Sequence, residues 1–159
     1  MKKKNIIFIS IIVVLVVIII VLLNIPDKLY YNDSLIMSLP DYKDNDCYFY
    51  GENKDYTDYC KFYFKKNVEE TIKENKKFVK VDSDNISLVK EYFDNYNDVV
   101  KNADFFDKYD FDISQIEEND YVYILDKSNE NESLEKFDFY NLYYYDASKN
   151  IVYYIHNNI

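Results

Sequence analysis

Cys47 and Cys60, the only cysteines of the 159-residue chain, bracket the aromatic stretch "CYFYGENKDYTDYC", which also holds the single glycine, Gly51. Two thiols at this spacing admit a disulfide, half of a metal site or a redox pair. A zinc site needs four ligands, yet the one histidine is distant and a C-x12-C gap matches no common finger. Dithiol catalysis uses C-x-x-C, which is absent. A structural disulfide is therefore expected, with free thiols as the alternative; closing a loop of this size stabilises by roughly 3 kcal/mol in the chain-entropy model.

The other reactive side chains form weaker constellations. His156 shares a strand face with Tyr143, Tyr145 and Tyr154, and no nucleophile motif such as G-x-S-x-G is present for it to serve. Asp110, Asp112 and Ser114 occupy the first, third and fifth places of an EF-hand-like loop. Gln115 then stands where the turn needs Gly, and Tyr121 where the bidentate Glu belongs, so these are weak metal candidates. A pair of carboxylates for glycoside hydrolysis is defined by separation in space, which the sequence does not supply. No catalytic residue and no cofactor is expected.

The elements that must position these residues all lie beyond a long apolar run. Residues 6–23, "IIFISIIVVLVVIIIVLL", hold Ser10 as their only polar side chain; a helix at about 1.5 Å per residue nearly crosses the hydrocarbon core, and 6–25 completes the span. No small residue comes after it until Ser34, which favours a retained signal-anchor over a cleaved signal peptide. Lys2, Lys3 and Lys4 precede the run, so the positive-inside rule keeps 1–5 as a cytoplasmic tail and sends the rest outward. The organisation expected is a cell-membrane, single-pass protein: anchor 6–25 in the lipid bilayer, tether 26–44, and one extracytoplasmic domain, 45–159. Thiols on that side of the membrane tend to be oxidised.

The net charge is −10, with every carboxylate after the apolar run. Such a surface repels phosphate backbones, so nucleic acid is not expected as a partner. Lys, Asn, Ile, Tyr and Asp dominate and Arg and Trp are missing, as an AT-rich, low-G+C bacterial coding sequence would give. Part of the tyrosine surplus is therefore codon supply.

Within the domain, pairing Cys47 with Cys60 as a hairpin sets Phe49 beside Asp58. Cys47, Phe49, Cys60, Phe62 and Phe64 then share one face, and Tyr48, Tyr50, Tyr59, Lys61 and Tyr63 the other. Helical spacing of Tyr56, Tyr59, Cys60 and Tyr63 is the competing reading. A short helix runs into an extended "FVKV". Ile86, Val89, Tyr92, Phe93, Tyr96, Val99, Val100 and Ala103 then mark one long amphipathic helix. An acidic loop, a strand "YVYIL" and a second hairpin come next, the latter with Leu142 and Tyr144 on the face of Ile151, Tyr153 and Ile155. The fold class is α+β, one long helix on an antiparallel sheet of four or five strands.

Two functions fit. In the first, the domain is a non-enzymatic binding module, a monomer by default, that meets an envelope protein or polymer. Its candidate interaction surface is tyrosine: Tyr48, Tyr50, Tyr59 and Tyr63 on one hairpin, Tyr143, Tyr145 and Tyr154 on the other. In the second, it is a small envelope glycan-acting enzyme using Asp or Glu.

Overall fold

The computed structural model describes residues 33–52, 55–128 and 137–158. The expected anchor, 6–25, the tail, 1–5, and the first part of the tether lie outside them. Among the described residues no helix is long and apolar enough to cross a membrane. The chain divides into two compact units, Met1–Met37 and Ser38–Ile159. In the first, the Asp33 carboxylate accepts hydrogen bonds from the Leu35 and Ile36 N–H groups, each at 2.9 Å. The second holds the sheet and its helices.

Its elements are β1 (Tyr42–Glu52), β2 (Asp55–Phe64), α1 (Glu69–Glu74), β3 (Val79–Lys80), α2 (Ile86–Val100), β4 (Tyr121–Asp126), β5 (Phe139–Asp146) and β6 (Ile151–Asn158). The strands form one sheet in the order β1-β2-β6-β5-β4-β3, every neighbour antiparallel. The fold is α+β as expected, but the sheet has six strands rather than four or five. The sixth is Val79–Lys80, two residues of "FVKV" that pair with Val122 and Tyr121 and are too short to leave a period in the sequence. β1 begins at Tyr42, inside the stretch assigned to the tether.

One face of the sheet carries Tyr48, Tyr59, Ile155, Leu142 and Ile124 in a single cross-strand row, and Lys61, Tyr153, Tyr144 and Val122 in the next but one. α2 lies on this face, burying Val89, Tyr92, Phe93, Tyr96 and Val100 of its expected stripe. Tyr92 packs on Tyr140 of β5, and the Tyr96 hydroxyl donates to the Asp58 carbonyl at 2.7 Å, so the helix crosses the sheet towards β2. Phe105, Phe111 and Ile116 of the acidic segment are buried beside it. Phe111 stacks on Phe93 with centroids 3.9 Å apart and meets Tyr153 edge-on at 4.9 Å. The expected acidic loop thus helps to cover the core, with Phe105, Phe111 and Ile116 turned in, while Phe106 stays exposed and Asp120 is buried.

On the other face, Phe62, Val152, Tyr145 and Tyr121 form one row, near which Val68 and Ile72 are buried. Asn150, at φ 56°, ties this end together. Its amide nitrogen donates to the carbonyls of Phe64 and Lys66, both at 3.0 Å, while its oxygen accepts from the Tyr145 hydroxyl and the Val68 N–H. With both sides covered, β2 is buried along most of its length.

Candidate functional site

Cys47 and Cys60 are direct partners in the β1–β2 ladder and are joined by a disulfide. Phe49 sits opposite Asp58, so the expected register holds and the helical reading of Tyr56–Tyr63 does not. The cysteine Cα atoms lie 4.2 Å apart, close to the roughly 4.5 Å of a non-hydrogen-bonded antiparallel pair, where side chains approach most closely. No free cysteine remains.

The tyrosines are not the outer coat expected of them. The Tyr48–Tyr59 side of the hairpin faces α2 and the acidic segment, so it is the core side. Tyr59 is fully buried, Tyr48 stacks on Phe105 at 5.9 Å, and Tyr143, Tyr145 and Tyr154 are also buried. Tyr63 is half-buried, its hydroxyl donating to Asp46 at 2.8 Å. Tyr50 alone of this set is well exposed, at 40%. A tyrosine ring buries as much apolar area as phenylalanine while its hydroxyl finds a partner at the rim, and that is how these tyrosines are used.

Asp110, the first of the weak metal candidates, already has a cation. Lys61 Nζ and the Tyr59 hydroxyl donate to its two carboxylate oxygens, each at 2.9 Å, and Lys61 is 3.7 Å from Asp46. Burial opposes charge on Lys61, but its hydrogen bonds and the Asp110 charge prevail and hold the ammonium above its usual range. Asp110 is correspondingly held below the carboxylate range despite its own desolvation. Asp112 instead accepts the Ser114 N–H at 2.8 Å and caps a short 3-10 turn. Among the described residues no three His, Cys, Asp or Glu are grouped to hold a metal ion.

What does open to solvent is the far end of the β1–β2 hairpin. Phe49, Tyr50 and Tyr56 are 59%, 40% and 37% exposed. On the helix side of this end a recess of about 270 Å³ is lined by Tyr50, Asp55, Tyr56, Thr57, Val99 and Asn102. Thr57 is fixed by donating to the His156 carbonyl at 2.9 Å. Gly51, at φ 114°, is required here, because a Cβ would lie 2.1 Å from the Asp55 carbonyl oxygen. β1 spans about 33 Å from Tyr42 at about 3.3 Å per residue, so this end lies far from where the chain joins the sheet. Sequence reasoning missed the site; its available signal was the lone glycine between two solvent-facing aromatics. A second recess of about 270 Å³, lined by Pro40, Asp41, Lys65, Lys66 and Val68, lies at the opposite end.

The reverse side of the hairpin end carries the row Phe49, Asp58, His156, Asn141 and Leu125. The Asn141 oxygen lies against His156 Nδ1, which assigns Nδ1 as the protonated nitrogen and leaves Nε2 an acceptor with no partner among the described residues. Tyr56 stacks on the imidazole at 4.7 Å, and burial together with the Lys127 charge lowers its pKa to about 4. The Asp58 carboxylate has no hydrogen bond or ion pair among the described residues, and burial raises its pKa to about 6. The other carboxylate raised by burial, Asp120, is on the helix side of the sheet, held by the Tyr144 hydroxyl and the N–H groups of Glu117 and Ala147. The two perturbed acids therefore serve separate places and do not converge on one recess. Comparison of the chain with known protein families, curated proteins and solved structures gave no match.

Proposed function

We propose that this is a single-pass, membrane-anchored protein whose extracytoplasmic domain is a non-enzymatic binding module for an envelope protein or polymer. The observation that carries the reading is the solvent-facing aromatic end of the β1–β2 hairpin, Phe49, Tyr50 and Tyr56, beside the recess closed by Val99 and Asn102. Large apolar side chains in solvent are concentrated where surfaces meet partners, and aromatic residues dominate such contacts. Their place at the end of β1 remote from Tyr42 suits a chain tethered through its N-terminal side, with the apolar run 6–25 in the bilayer. The glycan-acting alternative is not favoured, because it needs two carboxylates facing one substrate and the two with raised pKa values lie on opposite faces of the sheet.

The test cross-links the full chain in membranes of the cell that makes it and then captures the chain. Wild-type protein should retain one specific component that the triple variant Phe49→Ser, Tyr50→Ser, Tyr56→Ser releases. Equal retention by both, or retention of nothing at physiological salt, would overturn the reading.

A further inference from the structure

β1 is an edge of the sheet, eleven residues long, whereas the opposite edge, β3, is two. Long open edges are templates for another strand, and proteins usually blunt them with charge, proline or a bulge. The first half of β1 is protected in this way: it carries Lys43, Asp44 and Asp46 and a register shift between Tyr42 and Asp44, and the Asn45 N–H is taken by the Asp44 carboxylate at 3.0 Å. The second half, Cys47 to Gly51, has no charge, no proline and no shift.

The close approach of Cys47 to Cys60 decides which backbone groups are open. In an antiparallel pair, residues at the close, non-hydrogen-bonded positions turn their N–H and C=O away from the partner strand. At a Cα separation of 4.2 Å, Cys47 is such a residue, and by the two-residue period so is Phe49. By that geometry their N–H and C=O groups point to the free edge, where no further strand pairs among the described residues. The disulfide pins this strand to β2, so a guest strand would meet an edge that is already ordered.

We propose that the Cys47–Tyr50 edge of β1 binds an extended segment of a partner protein by strand addition, and that this segment alternates basic with apolar residues. The side-chain pattern specifies it. Guest residues on the helix side would lie beside Tyr48 and Tyr50, with the Asp46 carboxylate next along the same row, so that aromatic faces and a neighbouring negative charge favour Lys or Arg. Those on the reverse side would lie beside Cys47 and Phe49, which favour apolar partners. A net charge of −10 opposes a second copy as the occupant. Main-chain hydrogen bonds supply affinity and the alternating side chains supply selectivity, as in other strand-addition interfaces.

This rests on the binding-module reading but requires main-chain hydrogen bonds at the backbone edge, which that reading does not, so the two can fail separately. The probe is the blocked peptide acetyl-Lys-Val-Lys-Val-Lys-amide added to the full chain in nanodiscs, read by amide hydrogen exchange. Exchange at Cys47 and Phe49 should slow by about tenfold or more at saturation and remain unchanged for amides of β4 and β5. A peptide N-methylated at alternate residues, and one with Glu for Lys, should give no slowing. Phe49→Pro, which removes an outward donor without breaking a bond to β2, should abolish the effect at Cys47 while the far-ultraviolet spectrum is retained. No slowing with the first peptide, or equal slowing with either control, overturns the proposal. Protection that grows with protein concentration in the absence of peptide also overturns it, in favour of a second copy. If the edge fails and the aromatic triple variant still releases its component, the binding reading stands without it.

Discussion

Asp58→Asn should stabilise this domain at neutral pH. The Asp58 carboxylate is half-buried on β2, has no donor or cation among the described residues, and has a pKa raised by burial to about 6. In the unfolded chain the same group titrates near 3.9, so folding favours the protonated form. Stability from this residue is therefore greatest below pH 4, declines as the pH rises towards 6, and stays low above it. Two decades of proton affinity correspond to a ceiling of about 3 kcal/mol, and the group's remaining exposure screens that to about 1 kcal/mol. Asparagine keeps the shape and removes the charge. Thermal unfolding at pH 7 should show a Tm higher by about 3–6 °C, with the difference disappearing near pH 4. His156 acts in the opposite sense. Its neutral form is buried and its pKa is depressed to about 4, so its contribution is intact above about pH 6.5 and is lost as the pH falls through 4. Between pH 4 and 6.5 the two contributions oppose one another, so Asp58→Asn should show a steeper acid limb than wild type. A variant that is less stable than wild type at pH 7, or more stable by the same amount at every pH, would refute the reasoning.

Reducing the Cys47–Cys60 disulfide should lower stability by about 3 kcal/mol, seen as a shift in the urea midpoint; an unmoved midpoint would show that the hairpin needs no staple. Gly51→Ala should destabilise by about 1–3 kcal/mol through the left-handed φ and the clash with the Asp55 carbonyl, and calorimetry that finds an unchanged Tm would mean the hairpin end has another conformation. Phe111→Ala should cost about 3–5 kcal/mol, because its ring is stacked between α2 and the sheet. If the segment were only a solvated acidic loop, the same substitution would change stability by less than about 0.5 kcal/mol.

Periodicity carried some of this molecule and was silent on the rest. The register of Cys47 with Cys60 and of Phe49 with Asp58, the shared face of Leu142, Tyr144, Tyr153 and Ile155, and the stripe of α2 are all set by spacing. Spacing gives parity but not direction. Phe62 and Phe64 on one side of β2 and Tyr59 on the other are all buried, so alternation between Phe and Tyr did not distinguish inside from outside. Tyrosine was the source of the error, since its hydroxyl can leave the core at the edge, as Tyr59 does towards Asp110 and Tyr92 towards Asp126. Phe105, Phe111 and Ile116 were missed as core because they are irregularly spaced among carboxylates, and only packing against α2 gives them a common direction. The recess was illegible for a similar reason: Tyr50, Thr57, Val99 and Asn102 come from two distant parts of the chain that meet only in the fold.

The position of β6 has a consequence for how the domain is made. Although it comes after every other strand along the chain, it lies in the middle of the sheet, between β2 and β5. Thr57 and the His156 carbonyl, which hydrogen-bond across the β2–β6 seam, are separated by 99 residues. Until Ile151–Asn158 is present, the β1–β2 hairpin and the β3–β4–β5 ribbon have no common strand and cannot share a core. A chain synthesised from its N-terminal end would thus stay loose until its last strand arrived. Folding dominated by such distant pairings is slow, which lengthens that interval and gives the two cysteines, close in sequence, time to be oxidised before the sheet closes over Cys60.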